Sequence, residues 1–122
     1  MASQIIVTIP TNCLADSIAF YNEILHFDLV HRFDRPGGVV LVFLNHKGFT
    51  VELVTGPHIP AGEIGSGAPF LTFMVSDLGE ITSRLSAANI PVTQKLDFPD
   101  GVSILRFKDP NGALISFVSG EL

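Results

Sequence analysis

Hydrophobic and polar positions along this chain change period in the same order twice. Gln4 to Ile9 is rich in β-branched residues and reads as a strand. Asn12 is a helix N-cap residue by type. Behind it, Leu14, Ile18, Tyr21 and Leu25 fall on one face at helical spacing. Phe27 to Phe33 reads as a strand, Pro36-Gly37-Gly38 as a turn and Val39 to Leu44 as a strand. Asn45-His46-Lys47-Gly48 is a second turn, and Phe49 to Thr55 a further strand. The first half is therefore β, α, β, β, β.

The second half repeats the order. Pro69 to Val75 is a strand, and Asp77 with Glu80 has the spacing of a capping box. Leu78, Ile81, Leu85 and Ala88 give the helix its apolar face, which Pro91 ends. Val92 to Leu96, Ser103 to Lys108 and Ala113 to Ser119 are strands, separated by Pro99-Asp100-Gly101 and Asp109-Pro110-Asn111-Gly112 turns. The halves align without a gap at an offset of 64: Thr8 with Thr72, Leu14 with Leu78, Leu41 with Leu105, Phe43 with Phe107 and Gly48 with Gly112. A constant offset that matches helices and turns as well as strands points to a duplicated unit. The expected organisation is a single domain over 1–122: module one at 4–56, a Gly- and Pro-rich linker at 57–67, and module two at 68–120.

Composition narrows the function classes. The chain has 122 residues, 47% of them hydrophobic and 16% charged, which suits a globular domain with its own core. The formal net charge is −5, from 12 acidic and 7 basic residues. No Lys/Arg cluster is present to neutralise phosphates, so nucleic acid is not an expected partner. The longest apolar run, Val39 to Leu44, is far too short for a bilayer span. A single cysteine, Cys13, rules out an intrachain disulfide, and with no visible secretory signal the expected location is cytoplasmic.

Two stretches carry a family resemblance. Asp16-Ser17-Ile18-Ala19-Phe20-Tyr21-Asn22-Glu23-Ile24-Leu25 looks like the first helix of the vicinal oxygen chelate superfamily. Lys108-Asp109-Pro110-Asn111-Gly112 looks like that family's final hairpin. With the tandem βαβββ order, the chain resembles this group from Ile5 to about Ser119. The group includes glyoxalase I, extradiol dioxygenases, methylmalonyl-CoA epimerase, and fosfomycin- and bleomycin-resistance proteins. The resemblance implies an α+β fold in which two βαβββ modules form a curved, cup-like mixed sheet with helices outside. It also implies a metal on the cup floor, held from the first and last strands of each module. Those positions here are Ile6 and Glu52, then Phe70 and Ser116.

Of these four, only Glu52 is a metal ligand by chemistry; Ile6 and Phe70 have no donor atom, and Ser116 offers a neutral hydroxyl. A catalytic divalent site needs about three protein ligands. No metal or other cofactor is therefore expected, with a divalent ion as the alternative. Alternation sets Glu52 opposite Val51 and Leu53, so it faces the cup if those two pack under the helices. There it would bind a ligand or act as a general base; otherwise it is a solvated sheet carboxylate. Ile6 and Phe70, with Val40, Val42, Phe43 and Leu44, either line an apolar ligand pocket or simply fill the core. Arg106 interrupts an apolar strand and either anchors a ligand anion, sits at the solvent edge or pairs with Glu52. His31 and Arg32 belong to the expected rim, and Cys13 is taken as structural.

Two functions follow as expectations. One is a metal-independent protein that binds a small molecule, cationic or aromatic, in the manner of the bleomycin-resistance branch. The other is a glyoxalase-like lyase or isomerase that uses Glu52 as general base or metal ligand. A homodimer is expected on the family's habit and on the open edges of a half-barrel. Whether the modules pair within the chain or by swapping across the dimer stays open.

Overall fold

A computed structural model describes residues 6–57 and 70–120. Module one comprises β1 (Ile6–Pro10), α1 (Leu14–Ala19), β2 (Asp28–Arg35), β3 (Val39–His46) and β4 (Phe49–Thr55). Module two comprises β5 (Phe70–Val75), α2 (Gly79–Ala87), β6 (Gln94–Asp97), β7 (Ser103–Lys108) and β8 (Leu114–Ser119). Each module folds into a mixed four-stranded sheet. The strand orders are β1-β4-β3-β2 and β5-β8-β7-β6, with the first strand parallel to the last in each. The tandem βαβββ organisation read from periodicity is the architecture observed. All of the expected linker except Pro57 lies outside the described residues.

Strand parity decides which residues go under the helices. In module one Ile9, Val42, Leu44, Val51 and Leu53 are buried in one cluster with Phe20, Tyr21, Ile24 and Leu25 from the helical segment. Their alternates Thr8, Phe43 and Glu52 lie on the other, helix-free face. Val42 and Leu44 therefore do not line a pocket with Ile6 as the sequence reading allowed; they are core. In module two Leu71, Leu105, Phe107, Ile115 and Phe117 take the same role with Ile81 and Leu85.

The modules are not in one register throughout. Ile6 faces Thr50, and Phe70 faces Leu114, which keeps the offset of 64 in the outer and last strands. In the third strand Phe43 faces Glu52, whereas Arg106, not Phe107, faces Ser116. The equivalents there are Val42 with Leu105, Phe43 with Arg106 and Leu44 with Phe107, an offset of 63. The hairpins explain the slip. Module one closes β3 onto β4 through two residues, Lys47 and Gly48, both with positive φ (50° and 82°), as the primed hairpin turns require. In module two the Asp109 amide donates to the Ala113 carbonyl at 2.9 Å, so the same turn holds three residues, 110–112, one more than in module one.

Local chemistry departs from the sequence expectation at both helix starts. Asn12 is exposed, and the first helix has Cys13 in the cap position with no side-chain cap; the Thr11 hydroxyl instead accepts from the Cys13 amide at 3.0 Å. At the second, Asp77 accepts from the Gly79 amide at 2.8 Å, but Glu80 pairs with Arg84 one turn on and does not reach back. The box is half built because Arg84 supplies a stronger, charged partner at i+4. The first helix also widens into a π turn over Phe20–Ile24 before His26 reverses the chain at φ 59°.

The modules join through aromatic and polar contacts. Phe20 packs on Phe107 at 6.2 Å between ring centroids and Phe27 on Phe73 at 6.1 Å. The Tyr21 hydroxyl donates to Asp109 at 2.8 Å. Beside it Asn111 Nδ2 donates to Ser17 Oγ at 3.0 Å, and the Cys13 thiol to Asn111 Oδ1 at 3.4 Å.

The chain end is held equally closely. Gly120 has φ 99°, and a Cβ there would sit 2.7 Å from the Gly101 carbonyl oxygen. Gly120→Ala combines a left-handed backbone with a backbone clash and is expected to cost roughly 2 kcal/mol, read as a lower urea midpoint at unchanged slope.

Candidate functional site

The helix-free face of module one concentrates the candidate residues. β1, β4, β3 and β2 lie side by side, so Thr8, Glu52, Phe43 and His31 form one row across the sheet. The Thr8 hydroxyl donates to Glu52 Oε1 at 2.7 Å, which fixes one carboxylate oxygen and leaves lone pairs on the other. The aromatic neighbours form a short stack: Phe33 meets Phe43 edge-on at 5.9 Å, and His31 lies over Phe33 at 5.7 Å. Next to this row a cavity of about 540 Å³ is lined by Ile6, Val30, His31, Phe33, Phe43 and Thr50, with Asp28 and Asn45 at its polar side. Its size suits a small organic ligand.

The sequence-derived residues fall into two groups. Ile6 and Glu52 share the helix-free face of module one, Ile6 being 37% exposed. Ser116 and Arg106 face each other across β8 and β7 in module two, with Thr72 opposite Ser116 on the other side. The one-residue slip puts Arg106 on this face, in the place Phe43 occupies in module one. Arg106 donates through Nη1 to Gln94 Oε1 at 2.6 Å. Ser116 is 2% exposed. Phe70 opens β5 opposite Leu114. Arg32, the other rim candidate, pairs with Asp34 along its own exposed strand. Cys13 lies in the polar joint between modules, away from the Glu52 row.

These residues do not fit a catalytic divalent ion. Ile6 and Phe70 are hydrocarbon, Ser116 is a neutral hydroxyl, and Glu52 is the one carboxylate among the four positions. Among the described residues no group of three or more His, Cys, Asp or Glu side chains converges. A single carboxylate falls short of the three-ligand sets such ions need.

Thr8, Phe33, Asn45 and Thr50 were not singled out from the sequence. Thr8 was within reach. A strand pairing in parallel with Phe49–Thr55 at the offset that sets Ile6 beside Thr50 must place Thr8 next to Glu52. His31 and Phe33 alternate on an exposed strand, and that i, i+2 pair was the available signal for an aromatic rim.

Residues 4–117 match the family model described as Glyoxalase/Bleomycin resistance protein/Dioxygenase superfamily. No curated protein matches significantly. Among solved structures, the trypanothione-dependent glyoxalase I of Leishmania major aligns with TM-score 0.80 at 20% identity, over 98% of this chain and 87% of that one. The fosfomycin resistance protein FosX of Listeria monocytogenes, solved with Mn(II) and a dihydroxypropylphosphonic acid, aligns with TM-score 0.79 at 16% identity, over 100% and 96%. Lactoylglutathione lyase from Agrobacterium tumefaciens aligns with TM-score 0.71 at 22% identity, over 98% and 95%. At these identities the likeness is one of fold.

Proposed function

The chain belongs to the Glyoxalase/Bleomycin resistance protein/Dioxygenase superfamily, and we propose that within it this protein binds a small molecule, without a metal ion, on the apolar face that carries Glu52. The observation that carries this reading is the row Thr8–Glu52–Phe43–His31. It sets one oriented carboxylate beside a cavity with aromatic and aliphatic walls, and among the described residues no three His, Cys, Asp or Glu side chains converge as a metal set. A carboxylate bordered by ring faces favours a ligand that is cationic, aromatic or both, since it supplies an ion pair and the rings supply cation–π and stacking contacts. Arg106 and Ser116 occupy the matching face of module two.

The exposed side chains Leu29, Val30 and Phe33 on the edge strand β2 favour a homodimer that covers them. No helix among the described residues is long and apolar enough to cross a membrane; the location proposed, in keeping with the single cysteine, is the cytoplasm.

Thermal-shift and calorimetric titration with cationic aromatic compounds tests the proposal. Glu52→Gln is expected to weaken binding about tenfold, the worth of one charge-assisted contact of about 1.4 kcal/mol. Thr8→Val, which frees the carboxylate to rotate, is expected to weaken it less. Stoichiometric Ni, Zn, Mn or Fe in the purified protein would overturn the metal-free reading. A Glu52→Gln variant that keeps affinity and loses turnover would move the assignment to a glyoxalase-like lyase or isomerase with Glu52 as base.

A further inference from the structure

The duplication makes the two module joints comparable, and they differ. One joint, between the start of the first helix and the 109–113 hairpin, is filled: Thr11, Cys13 and Ser17 interlock with Asn111, and Tyr21 reaches Asp109. The equivalent positions in the other joint are Val75, Asp77 and Ile81 against Lys47, with Leu85 in the place of Tyr21. No side chain at these positions bonds across that joint among the described residues. Asp77 accepts from the amide of Gly79 in its own helix, and Leu85 has no polar atom to offer. In place of an interlocked seam there is a cleft of about 800 Å³.

We infer that this open joint is a second ligand site, separate from the Glu52 face, and that it takes planar aromatic anions. Its walls are aromatic. Phe73 and Phe117 stack with centroids 4.7 Å apart and planes 8° from parallel, and Phe27 stands edge-on to Phe73. These rings already touch one another, so a flat ring is laid against the partly exposed Phe73 at their edge, with favourable stacking or edge contacts. Its charge is set at the rim. Glu80 and Arg84 neutralise each other as an i, i+4 pair through Nη2, and Arg84 Nη1 donates to the Ile24 carbonyl at 2.8 Å. The Lys47 ammonium, on the two-residue hairpin, has no partner among the described residues. His46 lies 3.0 Å through Nδ1 from the His26 carbonyl oxygen, so Nδ1 carries the proton and Nε2 is left for another partner. Asp77 also stands at this rim, its carboxylate held by the Gly79 amide, so the attraction for an anion rests on Lys47 as the cation without an ion-pair partner; aromatic walls beside it suit a carboxylate or sulfonate on a fused or single ring.

Calorimetric titration of the intact protein with 2-naphthoate, and with neutral 2-naphthylmethanol as its uncharged counterpart, tests this. Saturable binding of naphthoate, at least tenfold tighter than the alcohol, is expected. Lys47→Glu, on an exposed turn, should weaken naphthoate at least tenfold, and Lys47→Met should reduce it to the level of the alcohol. Glu52→Gln should leave it unchanged. Absence of saturable binding, equal affinity for acid and alcohol, or indifference to both Lys47 variants would overturn the site. A loss caused by Glu52→Gln would overturn it too, by placing the ligand on the sheet face; failure of the Glu52 proposal alone leaves the Lys47 comparison intact.

Discussion

Phe27→Ala is expected to lower folding stability by about 4 kcal/mol, within the range for emptying a buried phenylalanine site. Phe27 is fully buried, and its ring touches Tyr21 at 5.7 Å, His46 at 5.3 Å, Phe49 at 6.4 Å and Phe73 at 6.1 Å. Three of these belong to module one and Phe73 to module two, so the cavity opens at the seam. Collapse to refill it would have to shift one sheet against the other, which keeps the cost near the upper end. Phe27→Leu keeps most of the volume and is expected to cost about half as much. Equilibrium urea unfolding checks both, with a fall in midpoint at constant slope. A loss below about 1 kcal/mol for the alanine variant would show that the seam relaxes freely.

The second large effect centres on Asp109. Its carboxylate accepts from the Tyr21 hydroxyl, the Asn111 amide at 2.8 Å and the Ala113 amide at 2.7 Å, all buried. Asp109→Ala strands three donors at once and is expected to cost about 3 kcal/mol or more. The same contact makes stability sensitive to alkali. Burial, with the Asp109 charge beside it, raises the Tyr21 phenol far above its ordinary value. An unfolded tyrosine ionises near pH 10, while folded Tyr21 keeps its proton. Above about pH 10 the unfolded state therefore binds fewer protons, and stability falls as pH rises, by about 1.4 kcal/mol per unit from this group. Below pH 10 the group adds no slope. Tyr21→Phe should be less stable than the parent at pH 8, and the gap should close as pH passes 10. Unfolding free energies of the two proteins at pH 8, 10 and 11 check this; a gap that is constant with pH would remove the linkage.

Much of the architecture was legible because each strand and helix announces itself by period. Ser103–Lys108 and Phe49–Thr55 were located to the residue, and the burial of Val51 and Leu53 set Glu52 on the helix-free face by alternation alone. What could not be read is where two elements must agree. A gapless alignment hides a one-residue difference in hairpin length, since Gly48 and Gly112 both mark a turn without stating how many residues it holds. The sequence therefore paired Phe43 with Phe107, whereas the ladder pairs it with Arg106. Capping chemistry failed for a similar reason. Asp77 and Glu80 have the right spacing, but the Arg84 guanidinium competes for Glu80 and lies outside the motif. The site was legible as one carboxylate on one strand; its hydroxyl partner on β1 and its aromatic row on β2 depend on pairings that no single stretch encodes.

The unequal hairpins also set where the two halves can be recombined. Exchange between module one and module two at a seam in the last strand, or between the first strand and the helix, keeps every side chain on its own face. A crossover placed inside the third strand by the repeat spacing of 64 joins Leu41 directly to Arg106, and so delivers a guanidinium to the buried seat of Val42. The two copies have ceased to be interchangeable parts, and one residue of loop is what separates them.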